Sequence, residues 1–295
     1  MCDEFTAADN DAHLGTVTSA VTRRGFASLA GGAGLAMLLP APANANAKPI
    51  AGRDVTIATP DGKADAYFVA PATGKAPGVL IWPDIMGLRP AFRQMADRLA
   101  QSGYAVLVVN QFYRSVKAPF LAPGESFDQP EVRAKIGPYV KALSPEGTVR
   151  DALAFTAFLD AQPQVDTKRG LGAAGYCMGG PMVFRTAAAN PTRIKAGASF
   201  HGGGLVGTQP DSPNMLIPQM KARYLIAIAE NDDARAPTDK DTLRANFAAA
   251  KLPAEIEVYT GTKHGWCPPD SRVYDAAQAD RAWARMLELF KTALA

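Results

Sequence analysis

Gly170-Leu-Gly-Ala-Ala-Gly175-Tyr-Cys-Met-Gly-Gly180 is the stretch on which the reading of this chain turns. Its first half, Gly170 to Gly175, is a short apolar run of strand length. Its second half opens a helical pattern that runs from Met178 to Asn190. Cys177 sits between the two, with glycines two residues before it and two and three after it. A tight strand-to-helix turn needs such residues, because side chains at 175 and 179 would collide with the neighbouring strand and helix. The turn holds the Cys177 thiol at a helix N-terminus, where the dipole and open N–H groups favour an anion and draw the thiol toward thiolate. The pattern is G-x-S-x-G, the nucleophile elbow, with cysteine in the serine position.

Working outward, Val55-Thr-Ile-Ala58 and Ala66-Tyr-Phe-Val-Ala70 read as a pair of strands around the turn Asp61-Gly62. Gly78-Val-Leu-Ile-Trp82 and Ala105-Val-Leu-Val-Val109 are unbroken apolar runs, as strands covered on both faces should be. A helix from about Ala91 to Gln101 separates them. Further strands are expected at Ala196–Phe200, Tyr224–Ala229 and Glu255–Tyr259. Helices are expected from about Thr148 to Ala161 and Lys240 to Lys251. The last helix carries Ala279, Trp283, Met286, Leu287 and Phe290 at a 3.6-residue spacing. Alternating strands and helices predict an α/β fold, with a mostly parallel central sheet covered by helices on both faces. Residues 111–146 break the alternation. They carry Pro119, Pro123, Pro130, Pro138 and Pro145 and read as a loop-rich excursion, the usual form of a cap or substrate-side loop.

Residues 1–47 differ from the rest. Thr22-Arg23-Arg24-Gly25-Phe26 precedes a weakly apolar segment, Ala27 to Leu39. Small-x-small cleavage positions follow at Ala43-x-Ala45 and Ala45-x-Ala47. That order is expected of a twin-arginine signal peptide, so the precursor's partner would be the Tat export machinery and its destination periplasmic or secreted. The segment is too short and glycine-rich for a stable membrane anchor. Residues 48–295 are then expected to form one domain. A net charge of +3 with no basic run gives no case for nucleic-acid binding. Neither a metal-ligand motif nor a nucleotide or cofactor loop is present, so no cofactor and no metal is expected.

An elbow nucleophile needs an acid and then a histidine after it in the chain. His264, in Gly261-Thr-Lys-His-Gly-Trp266, directly follows the last apolar strand. Asp232, in Ala229-Glu-Asn-Asp-Asp233, directly follows the strand that ends at Ala229. Both stand at strand carboxyl ends, where sheets of this class bind their ligands. Asp233 is the alternative acid. His201, in Phe200-His-Gly-Gly-Gly204, precedes the acid and is read as a residue behind the site.

With these motifs in order, the chain resembles the dienelactone hydrolases. The resemblance runs from about Val55 to Leu294 and rests on Trp82-Pro-Asp-Ile-Met-Gly-Leu88, Gly175-Tyr-Cys-Met-Gly-Gly180, the Asp232 loop and Gly261-Thr-Lys-His-Gly265. It implies an α/β-hydrolase fold, a Cys177–Asp232–His264 triad, and an oxyanion hole from the Ile85 and Met178 backbone N–H groups. It also implies a thiol-switching carboxylate at Asp84, where the best-known members carry Glu, and a substrate-carboxylate arginine at Arg114. A second family arginine, four residues past the histidine, is replaced by Pro268. The implied activity is carboxylic ester hydrolysis of a small ester or lactone, of the carboxymethylenebutenolidase kind, through a thioester. Two alternatives remain open: a broad-specificity exported esterase or thioesterase, and a non-catalytic thiol protein in which Cys177 and Cys267 are joined.

Overall fold

The computed structural model describes residues 47–295. The segment expected to be an export leader lies outside them except for its last residue. The elements follow the alternation of the sequence. β1 (Ile50–Thr59) and β2 (Gly62–Pro71) form an antiparallel hairpin over the Asp61-Gly62 turn. Then come β3 (Gly78–Trp82), α1 (Pro90–Gln101) and β4 (Ala105–Val109). α2 (Pro130–Lys141) and α3 (Pro145–Asp160) lead to β5 (Leu171–Tyr176), α4 (Gly179–Ala189) and β6 (Ile194–Phe200). After the short α5 (Pro213–Leu216) come β7 (Arg223–Ala229), α6 (Glu230–Arg235), α7 (Asp239–Ala249), β8 (Ala254–Tyr259) and α8 (Ala276–Ala293).

The eight strands make one sheet in the order β1-β2-β4-β3-β5-β6-β7-β8. β2 pairs antiparallel with β4, and every pairing from β4 to β8 is parallel. Alternate residues of the central strands feed the two faces. Leu80 and Trp82 pack with Phe155 and Leu159 of α3, Met182 to Phe184 of α4 and Phe247 of α7. Val79 and Ile81 pack with Phe92, Met95 and Leu99 of α1 and Trp283, Met286 and Phe290 of α8. This is the layered architecture expected, and burial on both faces is why β3 and β4 read as unbroken apolar runs.

The excursion is more ordered than its prolines suggest. Pro130 and Pro145 each open a helix, where the missing N–H has no intrahelical partner to lose. Ser144 caps the second of these helices, its hydroxyl accepting from the Gly147 N–H at 3.0 Å. α2 tolerates Pro138 inside it and buries Val132 and Ile136 against Ile85, a small core apart from the two main ones.

The chain goes from β3 to β4 on one side of the sheet and returns to β5 on the other. The loops after β3 and β5 therefore flank a topological switch point, and such points are where open α/β sheets form crevices.

Candidate active site

Cys177 follows β5 directly, with φ at 53°, in the left-handed region that a cysteine rarely adopts. The surrounding packing holds it there. A Cβ at Gly175 would lie 2.1 Å from the Gly179 carbonyl oxygen, and one at Gly179 would lie 2.3 Å from that of Trp82. The Cys177 N–H donates to the Phe200 carbonyl at 3.0 Å, and its carbonyl accepts from the Gly180 N–H at 3.0 Å. Both ends of the turn are thereby fixed, with the residue standing at the start of α4.

The histidine loop is held by three consecutive residues of α6. Glu230 accepts from the Gly261 N–H at 3.1 Å, and Asn231 from the His264 N–H at 2.9 Å. Asp232 meets His264 Nδ1 at 2.7 Å. A carboxylate there accepts a hydrogen bond from Nδ1–H, which keeps the proton on Nδ1 and leaves Nε2 as the basic nitrogen. Asp233, the alternative acid, is bound instead by Lys240 at 2.7 and 2.9 Å. Glu230 and Asn231 were not singled out from the sequence. Their only signal is their place beside Asp232.

Cys177 and His264 line one cavity of about 890 Å³, together with Asp84, Ile85 and His201. Pro119 and residues 121–129 also line it, so part of the excursion forms a wall of the cavity. Among the described residues, neither the Ile85 nor the Met178 N–H donates a hydrogen bond. Gln111 fixes the first of them indirectly. Its Nε2 donates to the Asp84 carbonyl at 2.7 Å, and the Gly87 N–H donates to the same oxygen at 2.9 Å. In a planar trans peptide the N–H points opposite to the C=O, so gripping the Asp84 carbonyl aims the Ile85 N–H the other way.

Asp84 lines the cavity, but its carboxylate is engaged. Oδ1 accepts from the Met86 N–H at 2.9 Å and from Arg89 Nη1 at 2.7 Å, while Oδ2 accepts from Arg89 Nη2 at 3.0 Å. Arg89 also binds Asp270, through Nε at 2.6 Å and Nη2 at 2.9 Å. Burial pulls the Arg89 guanidinium toward neutrality, but the two carboxylates outweigh it and hold the charge firmly in place.

Arg114 does not stand where the resemblance implies. It is not on the cavity wall. Its guanidinium is shared between Asp151, at 2.7 and 2.8 Å, and Asp61, at 2.6 Å, under the β1–β2 turn. The arginines that do reach the cavity are Arg89 and Arg272. The Cys177–Cys267 bond is also not formed. Cys267 carries no disulfide and is buried against α8, where desolvation pushes its thiol pKa well up. His201 is fully buried, with its ring 5.1 Å from those of both His264 and Trp266. Among the described residues neither of its nitrogens has a hydrogen-bond partner, and burial, followed by the charge of His264, depresses its pKa well below the usual value. Among the described residues no helix is long and apolar enough to cross a membrane, and no cluster of three or more His, Cys, Asp or Glu could hold a metal ion.

A model of the dienelactone hydrolase family matches residues 64–294. The chain belongs to that family. A carboxymethylenebutenolidase of Pseudomonas putida is 25% identical over 237 residues, covering 79% of this chain and 94% of the relative. A carboxymethylenebutenolidase homologue of Yersinia pestis is 28% identical over 243 residues, covering 80% of this chain and 86% of its own. The solved structure of a dienelactone hydrolase homologue from Klebsiella pneumoniae superposes with a TM-score of 0.71 at 26% identity, over 83% of this chain and 99% of the other. The sheet is thus that of an α/β-hydrolase, and the chain is a dienelactone hydrolase-like hydrolase.

Proposed function

We propose that this dienelactone hydrolase-like protein cleaves carboxylic esters or lactones by acyl transfer to Cys177. The observation that carries the reading is that His264, held by Asp232 at 2.7 Å, lines the same cavity as Cys177. His264 Nε2 takes the Cys177 thiol proton, the resulting thiolate attacks the acyl carbon, and the carbonyl π pair moves onto oxygen. That oxyanion sits between the Ile85 and Met178 N–H groups, each such donor being worth roughly 2.7–4 kcal/mol of barrier. Collapse breaks the bond to the leaving alkoxide, which takes a proton from His264 Nε2 and leaves a thioester. Nε2 then accepts a proton from water as the water attacks the thioester, releasing the acid and the thiolate. Asp232 keeps the imidazole in the required tautomer and stabilises its cation.

Mass spectrometry after brief exposure to a panel of p-nitrophenyl esters tests this. An acyl mass on the Cys177 peptide, absent from Cys177→Ala, is the expected result. Turnover retained in Cys177→Ala would refute it. The export reading of residues 1–47 is a separate proposal, supported by the order of Arg23-Arg24, the apolar segment and the cleavage positions. Cell fractionation checks it: replacing both arginines by lysine should hold the precursor inside the cell.

A further inference from the structure

We infer that the acyl group this site accepts is uncharged, so that an ester or lactone bearing a carboxylate on its acyl side is a poor substrate. The inference rests on the ester-hydrolase reading of the same cavity and gives it a substrate class.

Among the described residues, the Arg, Lys, Asp and Glu side chains of the cavity wall are two arginines and four carboxylates: Arg89, Arg272, Asp84, Glu125, Asp128 and Asp270. A substrate carboxylate needs a cation with donors to offer. Arg89 has none left. Its five N–H bonds are met by five contacts: Nε to Asp270, Nη1 to Asp84 and the Gly87 carbonyl, and Nη2 to Asp84 and Asp270. Its side chain is 8% exposed, so it cannot swing out without leaving two carboxylates behind it. Arg272 Nη1 donates to Asp128 at 2.7 Å, so its charge is already matched by a carboxylate of the same wall. Glu125 faces Lys135, at 3.1 Å, from outside the wall. Arg114, the cation implied by the resemblance, lies elsewhere on Asp61 and Asp151.

An anionic acyl group would therefore give up its hydration for a wall with an excess of negative charge, and burying an unpaired carboxylate is costly. A neutral acyl group meets Ile85, Met86, Leu121 and Phe127 instead, and its burial is favourable. Asp84, which could serve as a mobile carboxylate beside the thiol, is instead part of the lock on Arg89.

Two matched pairs of probes test the inference on the whole protein. The first is methyl p-nitrophenyl adipate against p-nitrophenyl hydrogen adipate, which differ by one methyl ester, with spontaneous hydrolysis subtracted. The neutral ester should have the higher kcat/KM by at least about tenfold, which is about 1.4 kcal/mol. The second is iodoacetamide against iodoacetate on pre-reduced protein freed of reductant, read as the alkylation rate of Cys177 by mass spectrometry. Each rate is divided by that for a small neutral thiol, and the neutral reagent should again lead by at least about tenfold.

An anionic probe that matches or exceeds its neutral partner in either pair overturns the inference. If neither ester is cleaved, the ester-hydrolase reading fails, and the alkylation ratio still decides the charge preference of the cavity. Asp270→Asn removes one of the two carboxylates on Arg89 while keeping an acceptor. It should shrink the penalty on iodoacetate a few-fold; a penalty unchanged or enlarged would show that the Arg89 lock is not what bars anions.

Discussion

The elbow around Cys177 and the excursion over residues 111–146 face each other across one cavity and are built in opposite ways. The elbow is backbone against backbone: a positive φ at Cys177, and glycines at 175 and 179 whose replacement would put a Cβ inside a neighbouring carbonyl. The excursion is held by side chains, by the small apolar core of Val132 and Ile136 and by surface ion pairs such as Asp128–Arg272. A backbone device has one solution, so the elbow can be read from six residues. A side-chain wall has many solutions, and that is where substrates are distinguished. Changes at the elbow and its catalytic partners should therefore act on kcat or on folding, and changes at the wall on KM.

The sharpest form of that contrast lies within two adjacent residues. Asp232→Asn should lower kcat on the order of 10⁴-fold, because an amide can donate to Nδ1 and favour the wrong imidazole tautomer. Asp233→Asn, whose carboxylate meets Lys240 at a part-exposed site, should change kcat by less than about twofold. Equal losses from both variants would break the assignment of the acid.

Gly175→Ala tests the backbone device directly. The new Cβ would stand 2.1 Å from the Gly179 oxygen and 2.4 Å from its carbonyl carbon, neither of which can move without displacing α4. Overpacking of this kind costs about 3 kcal/mol or more. A denaturant midpoint close to that of the parent would show that the turn is looser than its contacts imply.

Gln111→Met probes the link between the two regions. The substitution keeps the side-chain length and removes the donor to the Asp84 carbonyl, while the Gln111 Oε1 it also removes has no partner to lose. With the Asp84–Ile85 peptide less firmly set, kcat should fall roughly 10- to 100-fold, part of the 10²–10³ seen when a whole oxyanion donor is lost. Alkylation of Cys177 by iodoacetamide passes through no oxyanion, so its rate should hold. A parallel fall in both would mark a structural defect.

Among the described residues, β3, β4 and β5 were visible as apolar runs because the sheet is covered on both faces there, and the partly exposed β1 and β8 by their short β-type pattern. That Cys177, Asp232 and His264 lie past the carboxyl ends of β5, β7 and β8 was visible because each falls within five residues of a strand-type run. α2 was not, since Pro130 and Pro138 look like helix breakers unless one knows that the first stands at a helix start. Arg89 and Asp270 were hidden for another reason: they are 181 residues apart, and no local pattern links them. Arg114 was misplaced because a motif position fixes a backbone site but not the direction of a long side chain, and Asp61 and Asp151 drew it away from the cavity.

His201 gives the next smaller effect. Its pKa is depressed in the folded protein by burial first and by His264 second, so it stays neutral there at a pH where the unfolded chain protonates it. The unfolded state then binds the extra proton. Stability from this group is complete above the ordinary histidine pKa of about 6.5 and is lost as pH falls below it, at up to about 1.4 kcal/mol per pH unit. Unfolding free energies measured from pH 7 down to pH 5 should show that slope, and His201→Gln should flatten it. A variant with the parent slope would mean that other groups control the acid limb.

The smallest effect belongs to the wall. Arg272→Ala cuts the ion pair that ties the excursion to the segment after His264, and both ends of that pair are partly exposed. Solvent-screened pairs contribute well under about 1 kcal/mol, so the melting temperature should hardly move. Asp128 would then face the cavity without its counter-ion, adding one negative charge to the wall. For a neutral ester KM should rise no more than a few-fold with kcat unchanged, while iodoacetate should react with Cys177 more slowly than in the parent. A fall in kcat as large as that of Gln111→Met would show that the excursion shapes the reacting geometry, and the division between backbone device and side-chain wall would have to be redrawn.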